Sequence, residues 1–410
     1  VPARIDSKRR QKRPDRPNVV ILLTDDQGTL DAGCYGARDL FTPYMDGLAA
    51  SGVRFTQAYC HTVCCPTRAM LLTGRHPQRS GVNSWTQGDA NGPFRVNMHS
   101  DEITLAEVLH DAGYATCLSG KWHLGAAHTH GPTTQGFDRF FGIRGGFIDN
   151  YNHFYLHGQG FHDLYFGNVA IYRTGEYFPD MVTEVAIDFI QRNANHPFML
   201  YAAMNTPHYP EQADNQFDQY YAAHKMPRKS YGKMISTTDE RIGRILRQLD
   251  KQGLAENTIV VFMSDNGHSA EDFQIRTTDH RSGYTQGHDY GALGGGGNTG
   301  KWRGHKGTFF EGGIRVPAIV SFPSRIPAGI VRDQPVTAAD WFPTILDLCA
   351  VKAPNVKLDG RSLLPIIENN AQTHHATMHW QWQTSWAVRR DSWKLIREHS
   401  GRQLLVSLAE

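Results

Sequence analysis

Two apolar runs that end in acids, and one pair of adjacent cysteines, are the first places where this chain could do chemistry. NVVILLT (18–24) leads into Asp25 and Asp26, and TIVVFMS (258–264) leads into Asp265 and Asn266. Three aspartates and an asparagine offer only oxygen donors, which suit Ca²⁺ or Mg²⁺ rather than zinc. Either pair alone could equally cap a helix or make a turn. Cys64 and Cys65 open CCPTRAMLLTG (64–74), where Ala69 to Leu72 suit a buried helical turn and Thr73-Gly74 supplies a stop. At a helix N-terminus, unpaired N–H groups and the dipole favour an anion or a thiolate. The same pair could be an inert cap on a core helix, since free cysteine often packs as a small hydrophobe. Arg68 stands one helical turn after Cys64, so the two can face one pocket. Lys121 and His123 in SGKWHLG, two residues apart, can share one face of an extended chain. His208 in NTPHYP also follows an apolar run, and Lys306 lies in GHKGTFFEGG. The chain has 21 histidines, so any single one is ordinarily structural until a motif says otherwise.

Something must bring these scattered groups together. The runs at 18–24, 197–204, 258–264 and 316–322 read as buried parallel strands. Helical patterns at 42–52, 104–113, 180–193, 230–253 and 340–350 alternate with them. The expected fold is α/β, a large, mostly parallel sheet sandwiched by helices, and ligands bind beyond the carboxyl ends of such strands. From about 351, SWAVRRDSWKLIREHS and RQLLVSLAE read as paired antiparallel strands. The expected organisation is a basic disordered leader at 1–16, a catalytic domain at 17–350 and a smaller C-terminal subdomain at 351–410.

The cysteine segment resembles the motif of the type I, formylglycine-dependent sulfatases of the alkaline phosphatase superfamily. In that family Cys-x-Pro-Ser/Thr-Arg is followed, after three residues, by Leu-Thr-Gly. Here it reads Cys64-Cys65-Pro66-Thr67-Arg68, three residues, then Leu72-Thr73-Gly74, and only Cys64 has Pro two and Arg four residues downstream. TDDQG, GKWHLG, NTPHYP, SDNGHS and RGHKGTFFEGGIRVP resemble further family blocks, in the family order. GTLDAGCYG departs from the Gly-Tyr-Gly-Asp segment common after the first acids.

The resemblance implies the fold read above and a chemistry for each position. Cys64 would be oxidised to formylglycine by a formylglycine-generating maturation enzyme. One hydroxyl of the hydrated aldehyde would attack sulfur, and deprotonation of the other would release sulfate, two easier steps in place of one. Asp25, Asp26, Asp265, Asn266 and the modified Cys64 would bind the metal, with Ca²⁺ preferred to Mg²⁺. Arg68 would hold the hydrate, Lys121 and Lys306 the sulfate, and His123 would act as the base. His208 would serve the leaving group. His268 and His305 could touch substrate, or be loop histidines without catalytic duty. A phosphonate or phosphate monoester hydrolase of the same superfamily is the enzymatic alternative, although phosphonate hydrolases tend to carry His where this chain has Asn266. A calcium-dependent glycan-binding protein with unmodified Cys64 is the other.

Composition narrows the partners. Residues 1–16 carry seven basic and two acidic residues, which leaves a net of −3 for the rest of a chain whose total is +2. A basic arm could meet nucleic acid or a membrane surface, but this one lacks interleaved aromatics and holds two prolines, as a disordered leader would. The body shows no basic stripe, so nucleic acid is not an expected partner. Six cysteines are too sparse for a disulfide framework, and no apolar run is long enough to span a bilayer. The chain begins at Val1 without an apolar leader, as a mature periplasmic or secreted protein would; an artificially trimmed chain would begin the same way. Two aromatic stretches, 145–168 and HWQWQTSW (379–386) with Trp380 and Trp382, mix rings with His, Asn and Gln. Such a mixture either packs loops or stacks on sugar rings, so a sulfated oligo- or polysaccharide is the expected substrate. GALGGGGNTG (291–300) lacks the ending of a phosphate loop and reads as a flexible segment at the pocket rim.

Overall fold

The computed structural model describes residues 16–86, 96–271, 274–289 and 294–409. The expected basic leader, apart from Arg16, lies outside the described residues, as do 291–293 of the glycine-rich stretch. Three of the apolar runs become strands buried at every position: Asn18–Asp25, Phe198–Pro207 and Thr258–Ser264. Burial on both faces explains their unbroken apolar character. Val19, Ile21 and Leu23 join one hydrophobic cluster, while Val20 and Leu22 join another on the opposite face.

At the centre of the sheet the strand order is Thr258–Ser264, Asn18–Asp25, Phe198–Pro207, Ala115–Lys121 and Arg139–Ile143, all parallel. The fourth apolar run differs from expectation. It forms Arg315–Ser321 and runs antiparallel to both Thr258–Ser264 and Val53–Tyr59. A continuous apolar run reports burial on two faces but not direction, which the connecting chain sets. Among the described residues the sheet has eleven strands.

Helices close both faces. Phe178–Arg192 and Arg228–Lys251 cover one, contributing Phe178, Val182, Ile190, Ile242 and Ile245. Cys64–Thr73, Leu105–Asp111 and Trp341–Leu348 cover the other. Leu105–Asp111 starts at a capping box in which Thr104 and Glu107 satisfy each other's backbone N–H groups.

The C-terminal strands form a separate four-stranded antiparallel sheet spanning 377–407. Met378, Trp380, Ala387 and Ile396 pack on Tyr59, Phe309, Phe310 and Ile314, just beyond Lys306. Beneath them Glu311 accepts hydrogen bonds from Lys394 and from the Tyr59 hydroxyl. The preceding helix, Leu364–Asn369, packs instead into the core of the large sheet through Ile366 and Ile367. No helix among the described residues is long and apolar enough to cross a membrane.

Candidate active site

Four neighbouring parallel strands end along one edge, and each presents candidate site side chains there. Asp25 closes the first strand and Asp26 follows it; Asp265 and Asn266 follow Ser264; His208 follows Pro207; Lys121 closes its strand, two residues before His123. The helix that begins at Cys64 meets the same edge, with its Sγ 3.4 Å from Asp25 Oδ1. That helix ends as the sequence predicts, on Gly74 in a left-handed conformation whose N–H bonds the Met70 carbonyl.

Two non-glycine residues leave their strands through left-handed backbone, Asp26 (φ +65°) and His123 (φ +55°). Such conformations are uncommon outside glycine and persist where tertiary contacts hold them. They correct one expectation. Lys121 and His123 do not share a face of extended chain, because the strand stops at Lys121 and the turn re-aims the imidazole.

The floor of the site is a buried lattice of opposite charges. Arg68 Nε and Nη2 donate to Asp265 Oδ2 at 3.0 and 2.7 Å, and Nη1 donates to the Lys121 carbonyl at 2.9 Å. Lys121 Nζ donates to Asp25 Oδ2, and Asn266 Nδ2 to Asp26 Oδ1 at 2.6 Å. Lys306 Nζ contacts three acceptors: Asp26 Oδ2 at 3.0 Å, His208 Nε2 at 3.0 Å and Glu271 Oε2 at 3.2 Å. Oxygen and sulfur atoms of Asp25, Asp26 and Cys64 and a nitrogen of His208 lie within 4.8 Å of one another. Asn266 Oδ1 is buried with no partner among the described residues. Arg68 and Asp265 are fully buried and do not line the cavity. Arg68 holds the acids in place rather than facing the open space.

Burial governs ionisation here. Desolvation, followed by the charge of Asp25, pushes the Cys64 thiol well above its ordinary range. The helix N-terminus therefore does not make it a thiolate, and the free thiol donates toward Asp25. Burial also raises Asp26 to about 6, against the pull of Lys306. Desolvation, then Lys121 and Arg68, hold His123 well below its usual value; desolvation, then Lys306, do the same for His208. Both imidazoles are neutral. His208 Nδ1 lies 2.7 Å from the Tyr209 carbonyl, which can only accept, so Nδ1 carries the proton and Nε2 presents its lone pair to Lys306.

A cavity of about 250 Å³ opens above this floor. Cys64, His123, His208 and Lys306 line its base; Trp85, Phe147, Tyr155, His157, Tyr209 and Glu271 form its walls. Phe147 stacks on His208 with centroids 5.1 Å apart, and Trp85 lies parallel to His123 at 6.3 Å. Gly146 leaves room for that imidazole, since a Cβ there would sit 3.0 Å from His123 Cε1.

Other expected substrate contacts lie elsewhere. HWQWQTSW is not a loop but a hairpin, Thr377–Trp382 paired with Ser385–Arg390. Strand alternation sends Met378 and Trp380 inward, where the Trp380 indole donates to the Cys60 carbonyl at 2.9 Å and packs against Tyr59. Trp380 is thus a core residue. Trp382 sits behind the cavity wall, edge-on to Trp85 at 5.3 Å. His268 and His305 lie 6.4 Å apart, outside the cavity lining, each with Nδ1 near a neighbouring carbonyl. Sequence reasoning missed Trp85 and Glu271. Glu271 had a faint signal, three residues beyond His268; Trp85 had none.

A helix-covered, mostly parallel mixed sheet with buried acids and the first residue of a helix, Cys64, at its carboxyl edge has the architecture of the alkaline phosphatase-like fold. Residues 17–351 match the Sulfatase family and 300–403 match N-sulphoglucosamine sulphohydrolase, C-terminal. The chain belongs to the sulfatase family and is a sulfuric ester hydrolase. It is 33% identical over 407 residues to N-acetylgalactosamine-6-sulfatase of Canis lupus familiaris, covering 93% of this chain and 72% of that protein. It is 31% identical over 433 residues to human steryl-sulfatase, covering 87% and 70%. Among solved structures, Ps i-CgsB in complex with k-i-k-neocarrahexaose superposes with a TM-score of 0.82 at 28% identity, covering 96% of this chain and 86% of that one. Phosphonate monoester hydrolase of Agrobacterium radiobacter, 17% identical with a TM-score of 0.64, covers 96% and 90% and shares the fold.

Proposed function

We propose that this sulfatase removes sulfate from a sulfated sugar of an oligo- or polysaccharide, using a formylglycine made from Cys64 and a Ca²⁺ ion held by Asp25, Asp26, Asp265 and Asn266. The observation that carries the reading is the cavity itself: Cys64, Lys306 and His208 at its base, beneath walls of Trp, Phe, Tyr and His. Aromatic faces with interspersed polar tips suit a sugar ring. Similarity to N-acetylgalactosamine-6-sulfatase and to a structure complexed with a neocarrahexaose supports the same substrate class.

The residues fit a hard divalent cation. Carboxylates of Asp25 and Asp26 converge with Cys64, and the unpartnered Asn266 Oδ1 is a further oxygen donor. When bound, the ion would neutralise a sulfate oxygen, and the formylglycine would supply the oxygen nucleophile. The chain's own groups do the rest. Lys306 at the base places fixed positive charge beside the sulfate, and Lys121 adds its charge from the floor beneath, through Asp25, in a buried setting where charge acts strongly. His123, neutral and with neither ring nitrogen partnered among the described residues, is suited to take a proton. His208 Nε2 and Lys306 Nζ, 3.0 Å apart, share one proton-donating position on the leaving-group side, because Nε2 must first gain a proton before it can donate. Phe147, stacked on His208, keeps water from that imidazole face.

A periplasmic or secreted location belongs to the same reading, as does maturation by a formylglycine-generating enzyme. The test is sulfate release from a panel of sulfated mono- and oligosaccharides by protein co-expressed with such an enzyme. Release from one sugar and linkage is expected. Silence across the panel with Cys64 fully converted, together with turnover of phosphonate esters, would overturn the proposal.

A further inference from the structure

Glu271 is the one acid among the described residues that line the cavity. It stands apart from the buried acids of the floor, with its side chain 31% exposed, and it meets the space on the side of His208 and Lys306. Its two oxygens are used differently. Oε2 accepts from Lys306 Nζ at 3.2 Å and from Ser269 Oγ at 2.8 Å. The Ser269 hydroxyl also accepts the Glu271 backbone N–H at 3.1 Å, which closes a small ring and fixes the carboxylate's orientation. Oε1 has no partner among the described residues. Burial works against the charge, but Lys306 and Ser269 hold the carboxyl below its usual range, so it is ionised.

We infer that Glu271 reads the substituent beside the sulfate ester: Oε1 accepts a hydrogen bond from a neighbouring hydroxyl or amide N–H of the sugar and turns away a second anionic group at that place. The inference rests on the carbohydrate-sulfatase reading above. Its physical basis is charge placement. Lys306 already directs its three protons to Asp26, His208 and Glu271, so it has none to spare for a second anion once sulfate displaces one partner. A fixed carboxylate in a half-desolvated wall repels a like charge and rewards a neutral donor. The substrate class is therefore a monosulfated neutral or N-acylated sugar with a free donor beside the ester, not a vicinal disulfate or a sulfated uronate.

The experiment compares kcat/KM for three matched substrates: a monosulfated sugar with a free vicinal hydroxyl, its vicinal disulfate and its deoxy analogue. Wild-type enzyme with converted Cys64 should prefer the first. Glu271→Gln should shrink the preference for monosulfate over disulfate by about tenfold, and Glu271→Ala should also lose the preference for hydroxyl over deoxy. A merely structural role would lower all three rates together and leave the ratios where they were; that result overturns the inference. Should Glu271→Ala fold poorly, the isosteric Glu271→Gln carries the charge test alone. If wild-type enzyme releases sulfate from 4-nitrophenyl sulfate but from no sugar, the carbohydrate reading fails and this inference with it. Sugar turnover with unmoved ratios overturns the inference alone.

Discussion

The floor and the walls of the cavity are built on opposite principles. On the floor, Asp25, Asp26, Asp265, Arg68 and Lys121 are fully or almost fully buried, sit on strand ends or a helix, and are paired with opposite charges. In the walls, Trp85, Phe147, Tyr155 and His157 come from connecting segments and a short hairpin and present aromatic surface, and the one ion pair there among the described residues is that of Glu271 with Lys306 at the base. A buried charge lattice tolerates little change, because removing one partner strands another at a cost of several kcal/mol (roughly 3–5). Aromatic loops can be exchanged without disturbing the sheet. On the proposed function, the reaction belongs to the floor and the choice of substrate to the walls.

Substitutions on the two sides should separate accordingly. The largest effect is expected at the adjacent cysteines: Cys64→Ala should abolish sulfate release, whereas Cys65→Ala should retain substantial turnover. Cys65 Sγ faces the Ser84 carbonyl at 3.6 Å within the hydrophobic core and does not line the cavity. Mass spectrometry of the peptide spanning 64–74, alongside turnover, checks both; the reverse pattern would refute the assignment of Cys64. Next, Asp26→Asn should lower kcat by about 10²–10³-fold and abolish the rise in melting temperature that Ca²⁺ gives the wild type. A Ca²⁺-dependent shift that survives the substitution would move the metal elsewhere.

His208→Ala should come third, with a loss of about 10²–10⁴-fold on sugar sulfates and a much smaller one on activated aryl sulfates, whose leaving groups need no proton. Equal losses on both would remove the proton-delivery role. A wall substitution, Trp85→Ala, should mainly raise KM for sugar sulfates and leave kcat on 4-nitrophenyl sulfate near wild type. A collapse of kcat on that small ester would blur the division between floor and walls. Finally, Trp380→Ala should cost about 3–5 kcal/mol of stability in denaturant titration while the folded enzyme turns over almost normally, since the indole packs on Tyr59 and not on the substrate space.

Much of the floor was legible because its signals are local. Apolar runs ending in Asp25-Asp26 and Asp265-Asn266 mark strand ends, and the resemblance to the sulfatase motif, through Pro66 and Arg68, points to Cys64 rather than its neighbour. The walls were legible only in part. The aromatic stretch 145–168 supplies Phe147, Tyr155 and His157 as expected, yet the equally aromatic 379–386 buries Trp380 by strand alternation. Composition alone does not distinguish a loop from a hairpin with one buried face.

By itself the sequence determined the main elements, the helix stop at Gly74 and the oxygen-rich strand ends, all set by residues within a few positions of each other. Tertiary structure decided what those elements become next to one another. It reversed the direction of Arg315–Ser321, placed four functional strand ends side by side, and turned His123 out of its strand through left-handed backbone. It also brought Lys306 to His208 across 98 residues of chain and set Glu271 beside them. Those are contacts between distant segments, whose geometry depends on how the whole sheet packs rather than on any local pattern.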